Sequence, residues 1–595
     1  MTRYAYFLFV FLLSVGNITI ATDNSEFRAI WVVTWEHINS GLDAEQNKAN
    51  VRTILDNVKK ANMNAVLWQV RQSGTAYYNS TYEPWGKYAG YNNPGYDPLA
   101  YAIQEAHKRG IELHAWFNVF NVSDTVSGTI AKEHPDWICT NEDGVFMTKY
   151  RSASPGLQAV RDYTVNVAME IVRNYDIDGF HLDYIRWNEY DDDDMKKAVS
   201  LPEQIAKMDG MIAEEKWDRL LKGTAGKRFI YDVEHPANGG IPGGFDSWDD
   251  WRRWSVTEFV RVLQDSIKAV KPWVRLSPAV LGRYNWGGWN GYYVVFQDAA
   301  LWFNQAYIDQ LTPMHYHWTT GNEFYGMLKG NCPSCWEQWI EDGINAKRLY
   351  TVGPGSYVLD DNNVWNNHEQ IVNRSRSVDW VDGFQFFSYN SWKKYDYWGT
   401  AANTFFSRRT KIRPLDDAVT PPDSPSLVLN KIDSLTYEIT VTPPSGITEK
   451  HWFAVYRSQD TQADTSSDEI IDLYLGDAVF TITDVFDGLQ DYNGQYHYFA
   501  TAFNRYWRES APSNMESSDN IPSFAPTIVS SYPLEGEEIP VNEQIVITFS
   551  KTIDTSTVEN AIHIMPSAGE FNVSWDSDLK QMTVGFTEYL QFNTP

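Results

Sequence analysis

The chain has 595 residues, too many for one ordinary domain, and its 77 Asp and Glu against 49 Lys and Arg leave a formal charge of −28. That acidity excludes nucleic acid and an anionic membrane surface as natural partners. Aromatic residues make up 15% of the chain, with 25 Trp and 35 Tyr, more indole than a core needs and of the kind carbohydrate clefts use.

Residues 1–21 read as a secretory signal, with Arg3 as the positive head, an apolar run over 6–15 and Thr19-Ile20-Ala21 as the cleavage site. The run is too short to span a bilayer, and no later stretch reaches the length a transmembrane segment needs. No cysteine sits at the cleavage site, so the mature protein is expected to be exported and soluble, in the extracellular space or cell envelope. From 27 to 409, short apolar strands alternate with amphipathic helices. Strands are predicted at 28–34, 65–70, 111–117, near Phe180, and at 275–280, 310–314, 348–352 and 383–387. Helices are predicted at 46–61, 98–109, 157–174 and 248–270, with a large insertion over 188–247. Eight such repeats fit a (β/α)8 TIM barrel, and the first strand lacks the Gly-rich turn of a doubly wound sheet. The barrel is assigned to 26–410 and a Pro/Asp/Ser-rich linker to 411–421. Two all-β sandwich modules follow, one fibronectin type III-like (422–520) and one bacterial Ig-like (523–595), the last read as truncated.

Chemistry in such a barrel belongs where the strands end. The segment DGFHLDYIRW, 178–187, delivers a carboxylate, Asp183, followed by Tyr184, Arg186 and Trp187. The other strands end in Trp35 and Glu36, in Arg71, in Trp116 and Asn118, and in His315-Tyr316-His317-Trp318. A carboxylate handles protons or a cationic intermediate, and rings stack on sugar faces. The bland alternative is that Asp183 only pairs with Arg186 and closes a loop. Cys332-Pro-Ser-Cys335 reads as a local disulfide, because no second pair exists to complete a zinc site. The acidic run 191–194 reads as a solvated loop.

The segments RAIWVVT, AVLWQVR, PLAYAIQEAHKRGIELHAWFNVF, HPDWICTNEDG, DGFHLDYIRW, WRRWSVTEFV, IDQLTPMHYHW and GFQFFSYNSW together resemble the glycosyl-hydrolase-like 10 family over roughly 26–405. The resemblance implies a (β/α)8 barrel and glycoside hydrolysis, with bacterial cell-wall glycan as one substrate candidate. The insertion after Trp187 departs from the family's pattern.

Glycosidases usually set two carboxyl groups across the bond, about 5–5.5 Å apart for retention and about 6.5–9.5 Å for inversion. Asp183 is the first candidate, as nucleophile or base, kept ionised by Arg186. Glu234 and Glu36 rank ahead of Glu83 as its partner. Arg71, Asn118, Trp116, Arg186, Trp187, Tyr316, Trp35 and Trp318 are the candidate substrate-binding residues. No metal or cofactor is expected. The rival readings are a carbohydrate-binding or adhesive surface protein on a barrel scaffold and, more weakly, a metal hydrolase using His315 and His317. The expected partner is a polysaccharide or peptidoglycan-type glycan, with the C-terminal modules available for cell-surface attachment.

Overall fold

The computed structural model describes residues 24–187 and 228–587, apart from 488, 489, 491, 534–539, 542, 556, 557, 559–561 and 563–569. The signal at 1–21 and the acidic run at 191–194 lie outside the described residues. Eight parallel strands close into a barrel: β1 (Phe27–Val32), β2 (Ala65–Gln72), β3 (Glu112–Asn118), β4 (Gly179–Asp183), β5 (Arg275–Leu281), β6 (Gln310–His315), β7 (Leu349–Pro354) and β8 (Gly383–Phe386). Closure is made on both sides of β1, with Ala29 opposite Ala65 of β2 and Phe27 opposite Gly383 of β8. β1, β3, β4, β5, β7 and β8 are buried along their whole length, as a parallel sheet covered on both faces requires.

The covering helices follow the strands in turn. α1 (Ala44–Lys60) starts on Asp43, whose carboxylate accepts from the Gln46 amide, and ends on Lys59 and Lys60, which suit the negative end of its dipole. α2 (Pro98–His107) starts on Asp97 with Pro98 in its first turn, and α3 (Gln158–Asn174) leads into β4. α4 (Trp248–Val270) is capped by Ser247 with Asp249 and Asp250 in its first turn. Its Val256, Phe259, Val260, Leu263 and Ile267 are buried, each contributing roughly 1.5–3 kcal/mol. The circuit is completed by α5 (Ala299–Asn304), α6 (Glu337–Asn345), α7 (Asn367–Arg376) and α8 (Trp398–Asn403). Gly179 opens β4 because a Cβ there would collide with the His114 imidazole of β3. The Cys332–Cys335 disulfide forms as the spacing predicts.

The next module is a two-sheet sandwich. One sheet orders β9 (Ser426–Lys431), β10 (Thr436–Thr442) and β13 (Phe480–Val485). The other orders β12 (Glu469–Gly476), β11 (His451–Ser458), β14 (Gly494–Phe503) and β15 (Glu516–Ile521). The last segment holds β16 (Ile528–Tyr532), β17 (Ile545–Phe549), β18 (Phe571–Trp575) and β19 (Gln581–Phe586) in one antiparallel sheet, ordered β16-β17-β19-β18.

The chain between barrel and sandwich begins as part of the barrel's base. Glu26 donates its amide to the Lys411 carbonyl at 2.9 Å, Ile412 is buried, and Arg413 pairs with Asp382 at 2.6 Å. The sandwich then packs under the α2–β3 turn. Gly110, at φ +70°, passes so close to Leu473 of β12 that no side chain fits there. Trp507 stacks on Trp452 at 5.0 Å and donates its indole N–H to Glu112 Oε1 at 2.6 Å, at the start of β3.

Candidate active site

A cleft of about 560 Å³ opens at the C-terminal ends of the barrel strands. Its floor is aromatic: Trp31 of β1 meets Trp116 of β3 edge to face at 4.9 Å, and Phe387 closes the far side against both rings. Trp35 and Tyr316 also line it, Trp35 half exposed and Tyr316 packed on Tyr357 and Phe387. Gln69 and Asn118, joined by a 3.3 Å hydrogen bond, put amide groups between the rings. This is an apolar trough with a few aimed polar groups, the form a small-molecule site takes.

Asp183 ends β4 in this trough and is 7% exposed. Its Oδ2 accepts from Trp116 Nε1 at 3.2 Å, and its Oδ1 accepts from the Tyr184 amide at 2.7 Å. That second bond accompanies a left-handed turn, Tyr184 standing at φ +50°, a conformation costly for a residue with a side chain. Tyr184 is held there by a hydroxyl–hydroxyl hydrogen bond to Tyr150. The Val119 amide donates to the Asp183 carbonyl at 2.7 Å, so the exits of β3 and β4 are tied together.

Burial pushes the Asp183 carboxyl above the usual aspartate range; the Arg186 charge, the Tyr184 amide and the Trp116 indole pull downward without cancelling it. Arg186 thus acts on Asp183 in the expected direction, but burial outweighs it. No ion pair joins them, because the Arg186 guanidinium lies instead against the rings of Tyr184 and Trp289, at 4.8 and 5.4 Å.

The other predicted residues divide. Trp35, Trp116, Asn118, Arg186 and Tyr316 line the cleft with Asp183. Arg71 does not: fully buried, it holds Glu83 with two hydrogen bonds of 2.6 and 2.7 Å and donates to the Val119 carbonyl at 2.9 Å. Arg71 and Glu83 therefore brace the β3 exit from behind. Trp187 also turns away, its indole N–H reaching the Arg252 carbonyl at 3.2 Å and its ring packing on Trp251 of α4. Trp318 packs on His315 and Phe324 behind the rim. Glu36 accepts from the amides of Val33 and Asn390 at 2.6 and 2.7 Å, which occupies both of its oxygens. Burial still pushes it up to about 7 against those two donors. Glu234 is exposed on the loop following Tyr231. Neither glutamate lines the cleft, and Asp183 is the one carboxylate among the described residues that does.

The His315 and His317 pair does not form a ligand set. His315 is fully buried, with Nδ1 accepting from the Gly353 amide at 3.0 Å and Nε2 against the Tyr350 hydroxyl at 3.2 Å; only His317 reaches the cleft. Among the described residues no group of three His, Cys, Asp or Glu side chains is arranged to hold a metal.

Trp31, Tyr150 and Trp289 also line the site without having been singled out from the sequence. Trp31 sits in a continuous apolar run in which period two leaves no visible parity. Tyr150 and Trp289 come from loops far from their partners in the chain.

The glycosyl hydrolase-like 10 family model matches residues 26–329, and a bacterial Ig-like domain model matches residues 523–595. Glycosyl hydrolase YngK of Bacillus subtilis (strain 168) is 27% identical over 410 residues, covering 64% of this chain and 71% of the relative. Glycosyl hydrolase DigH of Escherichia coli (strain K12) is 27% identical over 339 residues, covering 50% of this chain and 67% of the relative. Among solved structures, α-L-fucosidase isoenzyme 2 from Paenibacillus thiaminolyticus is 15% identical, with a TM-score of 0.36, covering 64% of this chain and 49% of that protein.

Proposed function

The chain belongs to the glycosyl hydrolase-like 10 family, and from that premise we propose that it is an exported glycoside hydrolase cleaving O-glycosidic bonds of a polysaccharide or cell-wall glycan, with Asp183 as the proton donor. One observation carries the assignment: a buried carboxyl, held above its ordinary pKa, lies at the end of β4 in an aromatic trough. A general acid must keep its proton near the working pH, and burial without an ion pair shifts a carboxyl in that direction. The glycosidic oxygen takes the proton as its bond to the anomeric carbon breaks, water adds to that carbon and gives up a proton to solvent, and Asp183 becomes a carboxylate. It is then received by N–H donors already in place on Trp116 and Tyr184, with the Arg186 charge nearby. Trp31, Trp35, Trp116 and Tyr316 would stack on sugar faces, and Gln69 and Asn118 would bind hydroxyls. Among the described residues no helix is long and apolar enough to cross a membrane. Release to the cell exterior rests on the sequence at 1–21.

A second reading, carbohydrate capture without cleavage, draws on the single carboxylate in the cleft among the described residues. Reducing-end release by the mature protein on plant polysaccharides, microbial polysaccharides and peptidoglycan strands separates the two, with Asp183→Asn run alongside. Cleavage by the wild type and a drop of about 10²–10⁴-fold in the variant is the expected result. Glycan binding without release by either protein would establish capture instead. Equal release by both would remove Asp183 from the chemistry.

A further inference from the structure

Seven arginines are buried in the described residues: Arg28, Arg71, Arg161, Arg186, Arg252, Arg275 and Arg505. Six of them have a carboxylate or carbonyl partner. Arg28 holds Glu26, Arg71 holds Glu83 and Arg161 holds the Pro155 carbonyl. Arg252 holds Asp249, Arg275 holds Glu112 and Arg505 holds Asp178. Arg186 is the exception. It is 6% exposed, lines the cleft three residues after Asp183, and its Nε has no hydrogen-bond acceptor.

The rings of Tyr184 and Trp289 fix the plane of the guanidinium but accept none of its N–H bonds in the way an oxygen does. Arg275 and Arg505 also leave a buried guanidinium N–H without an acceptor, but of the seven only Arg186 does so with no protein oxygen on any of its nitrogens, and in a cleft where a ligand oxygen could serve it. The cation does not suit the reacting carbon, which gains positive charge as the glycosidic bond breaks. The planar fork of five donors matches a two-oxygen anion, and the place for one is a subsite beside the scissile bond. A second guanidinium, that of the half-buried Arg283, lies 5.9 Å over the Trp318 ring, which also contacts the cleft residue His317 at 5.7 Å. The overall charge of −28 would repel a densely charged polymer. The fit is to an isolated acidic substituent on an otherwise neutral glycan.

Building on the glycosidase reading above, we propose that the cleft is specific for an acidic glycan and that Arg186 receives the anionic substituent, carboxylate or sulfate, of a sugar adjacent to the bond at Asp183.

Binding is measured calorimetrically in the Asp183→Asn background, which removes cleavage while keeping a neutral side chain of similar shape beside Arg186. The probes are hyaluronan oligosaccharides and peptide-free peptidoglycan strands, each beside its carboxyl-reduced form, and a monosulfated galactan beside its desulfated form. The expected result is tighter binding of at least one acidic member over its neutral counterpart. Adding Arg186→Gln should cut that preference about 10–100-fold, and Arg186→Lys should retain part of it. The carboxylate and sulfate arms identify which anion the site takes. Thermal unfolding supplies the control for a structural role: Arg186→Gln should melt within about 2 °C of the parent, because no protein partner is left unpaired. Equal binding of every acidic and neutral pair, or a preference that survives Arg186→Gln, overturns the proposal. Cleavage of neutral glycans with no acidic preference would sink the anion subsite and leave the hydrolase standing. Arg186-dependent capture of an acidic glycan with no cleavage by the wild type would do the reverse.

Discussion

Arg505 of the sandwich module reaches Asp178 Oδ1 at 2.8 Å, five residues before Asp183 on the approach to and along β4. The same guanidinium holds Asp176 at 2.7 Å, while Asp178 also receives the Leu113 amide at 2.9 Å and lies 2.8 Å from His107 Nε2. The base of β4 is thus clamped by a second module, on the face of a barrel where residues serve stability.

Breaking this clamp should be expensive. Arg505→Ala leaves Asp178 buried with its charge only partly met, at a cost of about 3–5 kcal/mol. Burial alone would raise the Asp178 carboxyl, but His107 and Arg505 outweigh it and the net shift is downward. Asp176 is lowered too, by Arg505 and Lys450 against its own burial. Lowered carboxyls contribute stability above their ordinary range and lose it as pH falls through the lowered values. Urea unfolding should therefore show an Arg505→Ala deficit that is full at neutral pH and shrinks only in strong acid. Proteolysis within 414–425 should quicken in the variant. A deficit unchanged between neutral pH and strong acid would refute the linkage.

The pH dependence of cleavage gives a second test. A general acid works while protonated, so kcat/KM should fall as pH rises through the Asp183 value, above the ordinary carboxylate range. Arg186 pulls that value down, so Arg186→Gln should move the basic limb to still higher pH. A limb shifted downward, or unmoved, would separate Asp183 from the titration.

Glu36 bears on stability with the opposite sign from the Asp178 clamp. Its folded value of about 7 stands above an ordinary glutamate, so the native state keeps a proton that the unfolded chain releases between about pH 4.5 and 7. Stability from this group is full below that window and falls through it, by roughly 1–3 kcal/mol. Glu36→Gln should flatten the difference in unfolding midpoint between pH 5 and pH 7. It should also leave cleavage within a few-fold, since both Glu36 oxygens face amides of Val33 and Asn390. Loss of cleavage by orders of magnitude would restore Glu36 as a catalytic partner.

The barrel was legible because parallel strands buried on both faces read as unbroken apolar runs, and helix caps such as Asp43 and Asp97 punctuate the gaps. Asp183 was legible as the first acid after a run. The directions of the residues that follow it were not. Tyr184 adopts φ +50°, which breaks the alternation of the strand, so Arg186 turns into the cleft and Trp187 into the core. The Arg71–Glu83 pair was missed because a loop, not a helical or strand period, joins the two residues. The Arg505 clamp spans 327 residues, and no local pattern encodes such a contact.

Trp35 and Trp187 give a last, paired prediction, because the same residue type flanks the same cleft in two environments. Trp35 is 50% exposed, tilts against Tyr88 at 5.7 Å and lines the trough; Trp187 is fully buried and spends its indole N–H on Arg252. On the proposed reading, the half-exposed Trp35 ring would meet the substrate while Trp187 would not. Trp35→Ala should raise KM about 2–10-fold, the worth of one aromatic stacking contact, with little change in kcat or melting temperature. Trp187→Ala should instead cost about 3–5 kcal/mol of stability, through the cavity left beside Trp251. Steady-state kinetics and thermal unfolding on the two variants read both effects. The reverse pattern, with Trp187 governing KM and Trp35 governing stability, would mean that the cleft has been drawn on the wrong side of the β4 exit.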